Sequence, residues 1–269
     1  HAIPVALQGQ DVMGLAQTGT GKTAAFGVPM IARMMEFEGK PNPKSVRGLI
    51  LAPTRELAKQ ISDTIRELVK GSPMKVGLVV GGASINAQIQ RIARGTDVLV
   101  ATPGRLIDLM ERRAINLSET KFLVLDEADQ MLDLGFIHAL RTISQALPSE
   151  RQTMVFSATM PKQMNEIANS YLQSPKRIEV NPAGKAADKI EQSVHFIAKA
   201  EKSFYLVEQL EKHRDQQSIV FCRTKHGASK LAKFLQGKGF KVDDIHGNKS
   251  QGQRTRAISA MQSGEIMVL

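Results

Sequence analysis

Six short apolar runs, at residues 12–15, 48–52, 76–80, 98–101, 122–125 and 153–156, constrain this chain more than any other feature in it. Each has the length of a strand, and none alternates apolar with polar residues as a half-solvated strand would. Between them apolar residues recur at helical spacing, over 23–37, 57–68, 85–92, 106–110, 131–147 and 164–172. Continuously apolar strands separated by helices predict a parallel sheet covered on both faces. The local punctuation agrees. Pro53 ends one strand, Thr54 stands where a helix N-cap belongs, and Leu57, Ile61, Ile65 and Leu68 mark one helix face up to Gly71. In such sheets ligands gather at the C-terminal ends of the strands, and the unusual polar clusters of this half all fall there.

The pattern breaks around 181–187, a small, polar stretch bearing Pro182 and Gly184, which reads as a linker over 181–190. Alternation then restarts, with strands expected at 194–197, 219–222, 242–245 and 266–269 and helices at 204–210, 228–235 and 255–261. The expected organisation is an α/β domain over 1–180 and a second, partial α/β domain over 191–269. His1 at one end and the apolar run 266–269 at the other make both ends read as cut. The single cysteine, Cys222, excludes an intrachain disulfide and fits a reducing, cytoplasmic setting; its place in an apolar run predicts a packing role.

Residues 16–23, Ala16, Gln17, Thr18, Gly19, Thr20, Gly21, Lys22 and Thr23, are an alanine-first version of the G-x-x-x-x-G-K-[ST] phosphate loop. An apolar run leads into it and an Ala-rich helical pattern follows. A loop so placed points backbone N–H groups at a polyphosphate, and the following helix adds the positive end of its dipole. Lys22 supplies a charge for the terminal phosphates, and the Thr23 hydroxyl is placed to ligate Mg²⁺. The strand at 122–125 then delivers Asp126 and Glu127 at its C-terminal end, where a magnesium-bound nucleotide needs a carboxylate. Asp126 is the metal-side residue of this reading, and Glu127 is placed to orient or deprotonate the attacking water.

The formal net charge is +10, with 21 basic against 17 acidic residues up to Pro182 and 15 against 9 after it. That balance favours a polyanionic partner and is densest in the C-terminal part. With 4% aromatic residues and no Trp, base stacking is not the main grip on a strand. No stretch approaches the roughly 18 to 20 apolar residues of a membrane span.

Taken together, these motifs resemble those of the DEAD-box ATP-dependent RNA helicases, in family order. The loop at 16–23 is followed by P-T-R-E-L-A from Pro53 to Ala58, the pair Gly81 and Gly82, T-P-G-R from Thr102 to Arg105, D-E-A-D from Asp126 to Asp129, and S-A-T from Ser157 to Thr159. Past the linker, 219–224 is similar to the fourth motif and Gln251 to Arg254 matches Q-x-x-R. The wording of 156–161 resembles bacterial members, which points to a ribosome-assembly or RNA-decay setting. The resemblance implies two RecA-like domains of the P-loop NTPase fold, the second truncated, that use ATP and Mg²⁺ to separate or remodel short RNA duplexes. It implies RNA contacts at Thr54, Arg55, Gly82, Thr102, Gly104, Arg105, Gln251 and Arg254. These are residue types suited to phosphate oxygens, so binding should be sequence-tolerant. Ser157 and Thr159 either couple nucleotide state to strand separation, as the resemblance implies, or cap the helix beginning at Pro161.

Two departures from the family pattern bear on activity. The adenine-reading segment that precedes the phosphate loop, the fifth motif and the arginine-bearing sixth are absent from the sequence, so the chain is expected to bind Mg-ATP but to turn it over poorly. Two rival readings use the same residues: a clamp that binds RNA without hydrolysis, and a DNA-directed translocase.

Overall fold

A computed structural model describes residues 1–16, 21–180 and 191–269. The chain divides into two compact units, His1–Asp188 and Lys189–Leu269. The expected linker, 181–190, and loop positions Gln17, Thr18, Gly19 and Thr20 lie outside the described residues.

The first unit runs α1 (Ala2–Leu7), β1 (Val12–Ala16), α2 (Lys22–Met34), β2 (Val46–Leu51), α3 (Arg55–Leu68), β3 (Val76–Val79), α4 (Ile85–Ile92), β4 (Thr96–Ala101), α5 (Pro103–Glu111), β5 (Phe122–Leu125), α6 (Ala128–Asp133), α7 (Ile137–Ala146), β6 (Gln152–Ser157), α8 (Lys162–Tyr171) and β7 (Lys176–Val180). The seven strands form one parallel sheet in the order β3-β4-β2-β5-β6-β1-β7. Because successive residues of a strand point to opposite faces, Leu49 and Leu51 join one core while Ile50 and Ala52 join the other. Helices α4 to α8 cover the first core, and α1, α2 and α3 the second. That double burial is the physical reason the strands read as unbroken apolar runs.

Three features were not visible as patterns. Helix α1 and strand β7 carry too few periodic apolar residues to stand out. The expected single helix over 131–147 is two helices, separated at Gly135, whose φ of 79° lies in the left-handed region. Gly14, inside β1, is needed for close approach: a Cβ there would lie 2.6 Å from the Phe156 ring, so the glycine lets an aromatic residue of β6 lie against its neighbour strand.

The second unit contains α9 (Lys202–Lys212), α10 (Lys225–Gly237) and α11 (Gln251–Gln262) around Leu210, Ala232, Leu235, Phe240, Val242 and Val268. The expected strands are corrected here. Among the described residues these runs form only isolated parallel bridges, Ser218 with Val268 and Val242 with Val268. Ser218 N–H donates to Met267 O at 2.8 Å and Val220 N–H to Leu269 O at 2.9 Å, while Met267 N–H donates to Lys241 O at 2.8 Å. Three runs thus lie side by side in parallel, in a ladder too short to make strands. The run 194–197 makes no bridge, and its Val194 and Phe196 are exposed. Cys222 is exposed as well, which overturns the packing role expected for it. Burial of a strand requires a layer over it, and Phe221, 92% exposed, has none. Among the described residues no helix is long and apolar enough to cross a membrane.

Candidate functional site

The strand order sorts the polar clusters into two neighbouring groups. The adjacent strands β5, β6 and β1 lead to Asp126, Ser157 and Ala16, whereas β3, β4 and β2 lead to Gly81, Thr102 and Thr54.

In the first group, Ala16 closes β1 and is buried, while Gly21 caps α2 in the left-handed conformation, φ 78°, and puts Lys22 in the first turn. Lys22 is buried and its Nζ lies 3.9 Å from Asp126 Oδ1. Among the described residues that amine makes no hydrogen bond. Thr23 follows it, half-buried. A desolvated ammonium without a full set of acceptors is costly, and a phosphate would supply them.

Asp126 is held by its own N–H, which donates to Leu51 O at 3.0 Å, and its carboxylate accepts from Glu127 N–H at 3.0 Å. Burial pushes its carboxyl up to about 6, partly opposed by the Lys22 charge and reinforced by Glu127. Glu127 is half-buried and caps α6 in the left-handed conformation, φ 51° and ψ 51°. A non-glycine residue there costs of order 1–3 kcal/mol, strain of the kind that gathers at functional sites. A magnesium ion fits these residues. A buried carboxylate and a threonine hydroxyl are oxygen donors, the kind a hard cation takes when phosphate oxygens complete its shell.

Ser157 and Thr159 do not cap α8, whose N-cap is Pro161 with no side-chain bond. Instead the Thr159 N–H and Oγ1 both donate to Asp129 Oδ2 at 2.8 Å, and Ser157 Oγ donates to Thr159 O at 2.7 Å. Burial works against the Asp129 charge, but the hydrogen bonds from Thr159 and Ser157 outweigh it and hold the carboxyl below its usual range. The end of β6 is therefore tied to the first turn of α6, next to Glu127.

In the second group Thr54 caps α3, its Oγ1 accepting from Leu57 N–H at 3.2 Å. Arg55 lays its guanidinium against Gly81 and Gly82. A Cβ on Gly81 would sit 3.1 Å from Arg55 Nη2, and one on Gly82 would overlap the guanidinium. Gly82 also needs its freedom at φ 75°. Arg105 Nη1 donates to Ala83 O at 3.1 Å, so two arginines converge on one glycine loop. Thr102 is buried at the N-cap of α5, with its N–H bonded to Val79 O at 3.2 Å; Gly104, the second residue of that helix, is exposed.

In the second unit Gln251 and Arg254 are half-buried in the first turn of α11, behind a capping box formed by Ser250 and Gln253. Sequence reading did not find the cluster around Asp244. Its carboxylate accepts from Ser229 Oγ at 2.6 Å and from Lys249, with His246 Nε2 3.1 Å away. The Asp-x-His spacing at 244–246 was its one available signal.

Two family models match the chain: DEAD/DEAH box helicase over residues 1–167 and Helicase conserved C-terminal domain over residues 201–269. Among solved structures, a DEAD box protein from the hyperthermophile Methanococcus jannaschii is 35% identical with a TM-score of 0.60, covering 100% of this chain and 71% of its own length. The yeast DEAD-box splicing factor Prp28 is 33% identical with a TM-score of 0.61, covering 96% of this chain and 61% of its own length.

Proposed function

The chain belongs to the DEAD/DEAH-box helicases, ATP-dependent enzymes acting on RNA, and from that premise we propose how its own residues divide the work. The nucleotide is held at the junction of β1 and α2. There Lys22 takes up terminal phosphate charge, the glycine-capped start of α2 offers N–H groups, and residues 16–23 form the cradle. Thr23 and Asp126 would hold Mg²⁺, which when bound neutralises charge on the terminal phosphates. Glu127 orients the attacking water and accepts its proton, a role helped by the backbone strain that fixes its position.

RNA phosphates meet the second group: Thr54, Arg55, Gly82, Thr102, Gly104 and Arg105. In the second unit, taken by itself, Gln251 and Arg254 are the proposed RNA contacts. Contacts to the sugar-phosphate backbone make binding sequence-tolerant and strongly salt-dependent. Ser157 and Thr159 are the proposed coupling residues, since the bond from Thr159 to Asp129 ties the chain just after β6 to the helix that Glu127 begins. A ribonucleoprotein or RNA-decay complex in the cytoplasm is the corresponding proposal for the setting.

The buried Lys22 amine facing Asp126 without a hydrogen bond is the observation that carries this reading. It is tested by single-turnover phosphate release with RNA, with a DNA strand of matched sequence and with neither. In the intact protein Lys22→Ala and Glu127→Gln are expected to abolish the RNA-stimulated signal. Near-normal release in either variant would overturn the assigned roles, and stronger stimulation by DNA would replace RNA as the substrate.

A further inference from the structure

Strand β3 is the edge of the sheet, paired only with β4, and the chain leaves it through Val80 into the Gly81–Gly82 turn. An edge strand presents backbone groups with no neighbouring strand, and buried ones must find partners elsewhere. Val80 is buried, and a side chain supplies both partners. Gln88, one turn into α4 and only 4% exposed, accepts from Val80 N–H through Oε1 at 3.2 Å and donates from Nε2 to Val80 O at 2.9 Å. The amide stands in for the peptide group of a missing strand and closes residues 80–88 into a loop pinned at both ends.

That pin sits one residue before the turn on which two arginines converge. Arg55 packs on the bare faces of Gly81 and Gly82, and Arg105 bonds to Ala83 O. If Val80 rotates, the glycine surface and the Ala83 carbonyl move with it, and both guanidinium groups lose their seat. We propose that Gln88 is a positioning residue for RNA binding: its two-point hold on Val80 fixes the glycine turn that aims Arg55 and Arg105 at adjacent phosphates. The inference rests on the reading of those arginines as phosphate contacts. Gln88 itself is buried and touches no RNA; it acts through the turn.

Gln88→Met keeps the shape of the side chain and removes both hydrogen bonds. Binding of a short fluorescein-labelled oligouridylate to the whole chain is measured by anisotropy across a salt series, beside the affinity for a fluorescent magnesium nucleotide without RNA. The expected result for Gln88→Met is about tenfold weaker RNA binding and a salt dependence shallower by about one unit of slope, as when a phosphate contact is lost, with nucleotide affinity unchanged. Wild-type RNA affinity in a variant that binds nucleotide normally would overturn the proposal. Arg55→Ala and Arg105→Ala separate the two readings. If they lose RNA and Gln88→Met does not, only the positioning role falls; if they too keep wild-type affinity, the phosphate-binding reading falls and takes this proposal with it. Should Gln88→Met lose nucleotide binding as well, Gln88→Asn, polar but too short to span both Val80 groups, is judged by the same criteria. Loss of both ligands in both variants would make Gln88 a purely structural residue and overturn the proposal.

Discussion

Asp126 in the first unit is a buried carboxylate and Asp244 in the second a half-buried one, each beside a lysine, and they are held in opposite states. Asp126 has the Glu127 N–H at 3.0 Å and Lys22 no nearer than 3.9 Å, so burial dominates and its carboxyl rises to about 6. Asp244 is less sheltered, and the bonds from Lys249 and Ser229, with His246 beside it, outweigh burial and hold its carboxyl below the usual range. A fully satisfied charge steadies its own unit. An under-satisfied one awaits a ligand that completes it.

The two centres should therefore answer pH in opposite senses. For Asp126, whose folded value is raised, the contribution to stability in the nucleotide-free protein is fully present below the ordinary carboxylate value and is lost as pH rises through about 6. For Asp244, whose folded value is depressed, the contribution is present above the ordinary value and lost as pH falls through the folded one.

The comparison breaks most sharply on chemistry. Glu127→Gln and Lys22→Ala should each lower hydrolysis by at least about 10²-fold. Asp244→Asn should leave nucleotide affinity unchanged, and a loss there would erase the distinction between the two centres. Next in size is stability. Asp244→Asn should destabilise the second unit by about 2 kcal/mol at pH 7, because it removes a charge-assisted acceptor from Lys249 and Ser229. In urea titrations that gap should narrow as the pH drops below about 4, where the wild-type carboxylate also protonates. A gap that persists in acid would mean that packing, not charge, accounts for it.

Smaller again is a ligand effect. Affinity for a magnesium nucleotide should fall about tenfold between pH 7 and pH 5, since a carboxyl titrating near 6 must be ionised to ligate the cation. A flat profile would place the bound cation away from Asp126. Least of all is Ser250→Ala, which removes the capping box of α11 and should cost about 1 kcal/mol in thermal unfolding with no change in nucleotide affinity.

Much of the first unit was legible because its inner strands, β1, β4, β5 and β6, are buried along their whole length and its helices bury one face, so apolar spacing and structure coincide. Thr54 could be read as a cap, and it caps. Cys222 could not be read correctly, because an apolar run announces a strand whether or not anything covers it, and here Phe221 and Cys222 stand exposed. Ser157 and Thr159 left two readings open. The choice depended on Asp129, about thirty residues away in sequence and brought near only because β5 and β6 are neighbours.

From its residues alone this chain specified a parallel α/β core, a phosphate loop ahead of a carboxylate pair, and its family, since all of these are local patterns of spacing and residue type. Which clusters work together was decided by strand order, which chain order does not contain. In sequence β1 is separated from β5 and β6 by all three strands of the other group, β2 to β4; in the sheet β5-β6-β1 and β3-β4-β2 are contiguous blocks. Burial is likewise a property of the assembled layers. Folding strips water from Asp126 and Lys22 and leaves them 3.9 Å apart, and it is that desolvation, invisible in the sequence, that sets these two common side chains apart from the solvated charges of the surface.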